Sequence, residues 1–116
     1  MLKIVDRILA GLLLLGAIGH TFGVSRFYAG QPMLLFWALS AGAITFLLAA
    51  LNFMRAGRPG DRNFAWVTVA GTLCQLVITL RFGVLIGNML DPRVIFFSLV
   101  SLGLAGFGVR TALGRA

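Results

Sequence analysis

Charge is scarce in this sequence. Of 116 residues only 11% are charged, three of them acids (Asp6, Asp61 and Asp91) and ten of them bases. Soluble domains carry about twice that charged fraction. A soluble chain this short leaves a large share of its surface in water, and so few charges could not cover it. An ordinary soluble enzyme and a disordered tail are excluded. The one cysteine, Cys74, allows no internal disulfide and no cysteine-based metal site, which excludes a secreted disulfide scaffold. Cys74 sits in an apolar stretch and reads as a small buried packing residue. The single His20 excludes a bis-histidine haem within one chain. There is no H-E-x-x-H, no phosphate loop and no G-x-S-x-G. A serine without a base is no nucleophile. An enzyme is therefore not expected, and no cofactor or metal is.

What is present is apolar. Hydrophobic residues make up 59% of the chain, with a mean hydropathy of +1.00. The net charge of +7 would suggest nucleic acid in a soluble protein. Here the bases fall between apolar runs, with no basic stretch interleaved with aromatics, so the partner is the lipid bilayer and not nucleic acid. Lys3 and Arg7 precede an apolar run as in a signal peptide. Gly19-His20-Thr21-Phe22-Gly23 stands where an Ala-x-Ala site would be, so an uncleaved first span is expected.

Four apolar stretches are visible, at 4–24, 33–54, 64–86 and 93–111. Each is long enough to cross a hydrocarbon core of about 30 Å. Backbone groups in lipid must be satisfied internally, so the spans are helices. Gln31-Pro32 and Asp91-Pro92 suit an N-cap followed by the first helical residue. The middle loop, 55–63, reads RAGRPGDRN and belongs outside the membrane. The prediction is all-α: one transmembrane domain over 1–116, an antiparallel four-helix bundle. With the N-terminus cytoplasmic, Lys3, Arg7, Arg55, Arg58, Arg62, Arg110 and Arg115 lie inside, against Arg26, Arg81 and Arg93 outside. That satisfies the positive-inside rule. A multi-pass membrane protein with both termini cytoplasmic is expected.

Small and weakly polar residues recur at helical spacing: Ala38, Gly42, Thr45, Ala49 and Asn52; Thr68, Thr72, Gln75, Thr79 and Phe82; Ser98, Ser101, Ala105, Gly108 and Ala112. The first span offers Leu12, Gly16, Gly19 and Gly23. Such seams let membrane helices approach closely. They should face the bundle, with the larger apolar residues facing lipid. A faint two-fold repeat, Pro32 with Phe36-Trp37 and Pro92 with Phe96-Phe97, is explained as well by aromatics at a membrane interface.

Few residues can carry chemistry. His20, on the glycine-lined face of the first helix, reads either as a titrating or ligand-binding group or as a neutral imidazole bonded to a neighbouring helix. Arg81 lies about 9 Å inside the outer end of the third span. It reads as an anion or headgroup site, or as an arginine snorkelling to the interface. Tyr28, Asn88 and Asp91 fall near the same level. Gln75, with Thr72 and Thr79, lies near mid-membrane, where interhelical hydrogen bonds account for it. No Asp or Glu is assigned to the interior of a span, so the acid that a small proton-exchanging transporter needs is not expected.

The segment Gly19-His20-Thr21-Phe22-Gly23 resembles the first helix of an uncharacterised family of small bacterial four-helix membrane proteins with a G-H-T-x-G element, loosely DoxX-like. Trp66, the Arg81-Phe82 pair and Pro92 are also similar to that family's later helices, while the outer loop 25–31 is shorter than the family's. The resemblance implies the four-helix fold and draws attention to His20 and Arg81. It implies no activity. The reading that results is an accessory or structural subunit that self-associates, or packs against a larger membrane complex. The scarcity of chemistry and the glycine pairs Gly19/Gly23 and Gly83/Gly87 support it. The alternative is a homo-oligomeric binder or transporter of a small anion, a lipid-like molecule or a quinone, centred on His20 and Arg81 with Tyr28, Gln75 and Asn88.

Overall fold

The computed structural model describes residues 1–114. It contains four helices: α1 (Leu2–Phe27), α2 (Pro32–Ala56), α3 (Arg62–Leu85) and α4 (Pro92–Ala112). All four are long and apolar enough to cross a membrane. The molecule measures 47 × 23 × 22 Å, close to the 40–45 Å of a bilayer with its headgroups.

Local chemistry sets the helix ends. Pro32 and Pro92 open α2 and α4 at N1, as their fixed φ and missing N–H favour. Asp91 caps α4 by accepting from Arg93 N at 2.9 Å, and Asp61 caps α3 by accepting from Phe64 N at 3.1 Å. Gln31, the expected cap of α2, makes no side-chain cap bond. The C-terminus of α3 is a Schellman stop. Gly87 adopts φ +68°, Asn88 N donates to Gly83 O at 3.1 Å, and Gly87 N to Val84 O at 3.1 Å. Gly83 and Gly87 therefore end a helix rather than form a pair on an outer face. A Cβ on Gly83 would come 2.6 Å from Met89 Sδ.

The bundle is two broad hairpins, α1 with α2 and α3 with α4, joined mainly along α1 and α4 and more narrowly along α2 and α3. α1 and α3 lie diagonally opposite and make no backbone contact. Among the described residues, seven of the thirteen buried apolar ones are alanine, while Leu, Ile, Phe, Met and Trp side chains crowd the exposed faces. Lipid tails are as apolar as leucine, so helix association here depends on close backbone approach rather than on withdrawal of large apolar groups from water. The apolar core joins Ala10 and Leu13 of α1, Leu48 and Ala49 of α2, and Val100 and Leu104 of α4. The third helix docks through Ala65, Thr68, Val69, Thr72 and Thr79 instead.

The seams expected on α2, α3 and α4 are buried at Gly42, Thr45, Ala49, Asn52, Thr68, Thr72, Thr79, Ser101, Ala105, Gly108 and Ala112. Phe82, at the end of the α3 seam, is exposed, and Cys74, expected to be buried, is exposed as well because it lies off the face that carries Thr72, Gln75 and Thr79. The seam on α1 is displaced. Asp6, Ala10, Leu13 and Ala17 are buried, whereas Gly19 and Gly23 are exposed and open to a Cβ. Alanine already permits close approach, so the glycines are not needed on the inner face. Gly16 does receive a neighbour: the Phe96 and Phe97 rings would lie 2.7 and 2.8 Å from its Cβ. Phe36 and Trp37 are exposed, so the two aromatic pairs of the apparent repeat do different jobs.

Candidate functional site

The main polar feature lies at the end of the bundle where α1 and α3 begin and α2 and α4 finish. Arg55 is the penultimate residue of α2, and its side chain is 0% exposed. All five guanidinium N–H groups are used. Nη1 donates to Asp6 Oδ2 at 2.8 Å and to Thr111 Oγ1 at 3.2 Å. Nη2 donates to Asp6 Oδ1 at 2.6 Å and to Asn52 Oδ1 at 3.1 Å, and Nε to Asn52 Oδ1 at 3.3 Å. The planar fork of arginine suits this bidentate hold on a carboxylate.

The network continues towards the bundle's middle. Asn52 Nδ2 donates to Leu48 O at 3.0 Å and to Thr72 Oγ1 at 3.1 Å. Thr72 and Thr68 donate to the carbonyls one turn back, at 2.8 and 2.9 Å. Side chains of all four helices thus join one set of hydrogen bonds: Asp6 on α1, Asn52 and Arg55 on α2, Thr72 on α3 and Thr111 on α4. Gly108 makes room for it, since a Cβ there would lie 3.7 Å from Arg55 Cδ and 2.5 Å from Val69 Cγ2.

Two sequence expectations are corrected here. Asp6 lies inside α1 and is buried, so a span does contain an acid. Arg55 belongs to α2 rather than to the middle loop, because Asp6 neutralises it and the helix can carry it inward. A signal for both was present. Asp6 is in step with Ala10, Leu13 and Ala17, and Arg55 with Asn52, Ala49 and Thr45, at spacings of three and four. An ionisable residue continuing a buried face demands a partner.

The residues singled out from the sequence are dispersed. His20 is partly buried, and its Nε2–H donates to Ala38 O of α2 at 2.9 Å. Arg81 is exposed on α3, the helix diagonal to His20's, and the two are not brought together. Gln75 bridges α2 and α3: its Oε1 lies 3.2 Å from Thr45 Oγ1, and its Nε2 lies 3.5 Å from Thr79 Oγ1. Tyr28 stacks edge-on against Phe27 just past α1. Asn88 is exposed, and its side chain holds the α3–α4 turn by accepting from Leu90 N at 3.1 Å. Asp91 accepts from Arg93 Nε and Nη2, both at 2.9 Å. These hydrogen bonds to Arg93 hold its carboxyl down at about 2, below the ordinary 3.8.

Six of the seven bases counted as cytoplasmic lie at the end that holds the Arg55 network, and Arg115 falls outside the described residues. With Arg55 withdrawn as a buried partner of Asp6, Lys3, Arg7, Arg58, Arg62 and Arg110 remain there, against Arg26, Arg81 and Arg93 at the other end. Arg62 is partly engaged, donating from Nε to Ala112 O at 2.8 Å across the α3–α4 junction. No family model, curated protein or solved structure matches the chain.

Proposed function

We propose that this is a small multi-pass protein of the bacterial inner membrane that acts as an accessory or structural subunit, self-associating or packing against a larger membrane complex. The observation that supports it is the closed hydrogen bonding of Arg55. The buried charge of Arg55 is consumed in joining the helices, with all five donors bonded to the protein itself. Gly19 and Gly23 on the outer face of α1 leave space for another helix to come close. Purification from the native membrane in mild detergent, followed by mass determination, tests it. The expected mass exceeds one chain; a mass of one chain alone would overturn the proposal.

Orientation follows from the basic end, which we place in the cytoplasm with both termini. In a Cys74→Ala background, a cysteine at exposed position 58 resists an impermeant thiol reagent in intact cells, while one at exposed position 29 reacts. The reverse labelling pattern would reject the orientation.

The second reading, a binder of an anion, lipid-like molecule or quinone through His20 and Arg81, draws on Arg81 alone. That residue is a charged group exposed on a membrane-spanning helix, without an ion pair among the described residues.

A further inference from the structure

Two hydroxyls in the middle of the bundle stand apart from the rest. Ser101 of α4 is 0% exposed, and the hydroxyl oxygen of Ser98, one turn earlier, is buried as well. Neither has a hydrogen-bond partner among the described residues. The buried threonines behave differently. Thr45, Thr68, Thr72, Thr79 and Thr111 each donate to the carbonyl one turn back, at 2.8–3.1 Å. Ser98 and Ser101 do not use that bond. A hydroxyl taken out of water without a partner costs free energy, and such groups in native cores are met by the protein or by an ordered water.

Helix register shows what lies around them. A Cβ on Gly83 of α3 would lie 3.1 Å from Val94 Cγ1, and one on Gly108 would lie 2.5 Å from Val69 Cγ2. The same antiparallel pairing sets Ser98 opposite Thr79 and Ser101 between the levels of Thr72 and Thr79. Gly108 also faces Arg55 of α2, which runs parallel to α4. Ten residues earlier on each helix, Thr45 is level with Ser98. Ser101 lies seven residues before Gly108, close to two turns, and so shares the face that meets α2 and α3. This is the level at which Gln75 joins those two helices. Its Oε1 meets Thr45 Oγ1, and its Nε2 makes one long contact of 3.5 Å to Thr79 Oγ1. A side-chain amide carries two N–H donors, so one of them remains to be used.

We propose that Ser98, Ser101 and the side-chain amide of Gln75 hold one ordered water in the middle of the bundle. Side chains three apart on a helix have Cβ atoms about 5–6 Å apart, a span that one water bridges with two hydrogen bonds of about 2.8 Å. With Gln75 Nε2 donating, the water has three partners, the usual complement of a buried water. It ties α4 to the Thr45–Gln75–Thr79 group, one turn beyond the Asn52–Thr72 end of the Arg55 network. The site rests on the packing of α2, α3 and α4 and not on the accessory-subunit reading, whose test is the mass of the native assembly.

The full-length chain in mild detergent tests this through Ser98→Ala, Ser101→Ala and the double variant, which remove little more than a hydroxyl. Alanine is the better helix former, so loss of a hydroxyl that meets nothing would leave each variant as stable as the wild type or more so. Loss of a bridging water should instead lower the thermal midpoint by about 3 °C or more in each single variant. Both substitutions lose the same water, so the double variant should fall little further than either one. By NMR of isotope-labelled protein, the Gln75 side-chain amide should show a cross-peak to water of the sign that a long-lived water gives. Either substitution should remove it. Single variants that match or exceed the wild type, losses that add in the double variant, or a wild-type Gln75 amide without that cross-peak would each overturn the proposal.

Discussion

Arg55 and Asp6 are 49 positions apart in the chain and face each other through two hydrogen bonds of 2.8 and 2.6 Å, both almost wholly buried. A buried pair of this kind adds little net stability over apolar residues, but removing one partner strands a charge and costs about 3–5 kcal/mol. Asp6→Ala and Arg55→Leu should each lower stability by that amount. The double variant Asp6→Leu/Arg55→Met should recover most of the loss. Arg55→Lys should fail to substitute, because an ammonium cannot serve Asp6, Asn52 and Thr111 in one plane. Unfolding of detergent-solubilised protein measures this. Single variants within about 1 kcal/mol of the wild type would show that the pair does not hold the bundle.

This pair also shows where sequence reading stopped. The spans were legible because long apolar runs and the two X-Pro breaks are local signals. The seams of α2, α3 and α4 were legible because Gly, Ala, Ser and Thr recur at helical spacing. On α1, glycine was a misleading guide, since alanine and leucine at the next positions form the inner face. Asp6 and Arg55 were missed because each resembles an ordinary residue at a membrane boundary when taken alone. Their spacing puts each on a buried face, but which partner meets it there depends on a contact between helices that no local pattern encodes. For His20 the sequence leaves open a ligand-binding group or an imidazole bonded to a neighbouring helix, and whether it meets Ala38 O or Arg81 depends on which helices are adjacent.

Gly42 sits where α2 crosses α1. An added Cβ would lie 2.5 Å from Thr21 Oγ1 and 3.3 Å from His20 Cδ2. Gly42→Leu must push these apart, and overpacking of this kind costs about 1–3 kcal/mol or more. It should also break the His20–Ala38 bond. Leu47 is 58% exposed, and Leu47→Phe should change stability by about 0.5 kcal/mol or less. Equal tolerance of the two in a thermal unfolding assay would contradict the packing of α1 on α2.

The Asp91 carboxyl is held at about 2, chiefly by its hydrogen bonds to the Arg93 side chain and amide. A carboxyl whose folded value lies below its unfolded one favours the folded state above the unfolded value. That contribution fades as the pH falls from about 3.8 towards about 2. An NMR titration should show the Asp91 midpoint near the lower figure. Arg93→Gln should move it back up. Asp91→Asn should remove this portion of the acid sensitivity. A wild-type midpoint at the ordinary carboxylate value would show that the α4 cap does not form in solution.

His20 and Arg81 separate the structural from the ligand-binding reading. His20 already donates to Ala38 O at 2.9 Å, and Arg81 is exposed on α3, which makes no backbone contact with α1. On the structural reading, His20→Ala loses one interhelical hydrogen bond, about 1 kcal/mol. Arg81→Lys is then silent, since either side chain can snorkel its charge to the interface. If instead the two residues bind an anion, Lys loses the fork that grips an oxyanion at two points. Both variants would then abolish co-purification of the bound molecule without melting the bundle. The measurement is extraction from native membranes, identification of what co-purifies, and a thermal-stability control on each variant. The geometry predicts unchanged co-purification in Arg81→Lys and a small stability loss in His20→Ala. Loss of a co-purifying ligand in both, at unchanged stability, would reverse that conclusion.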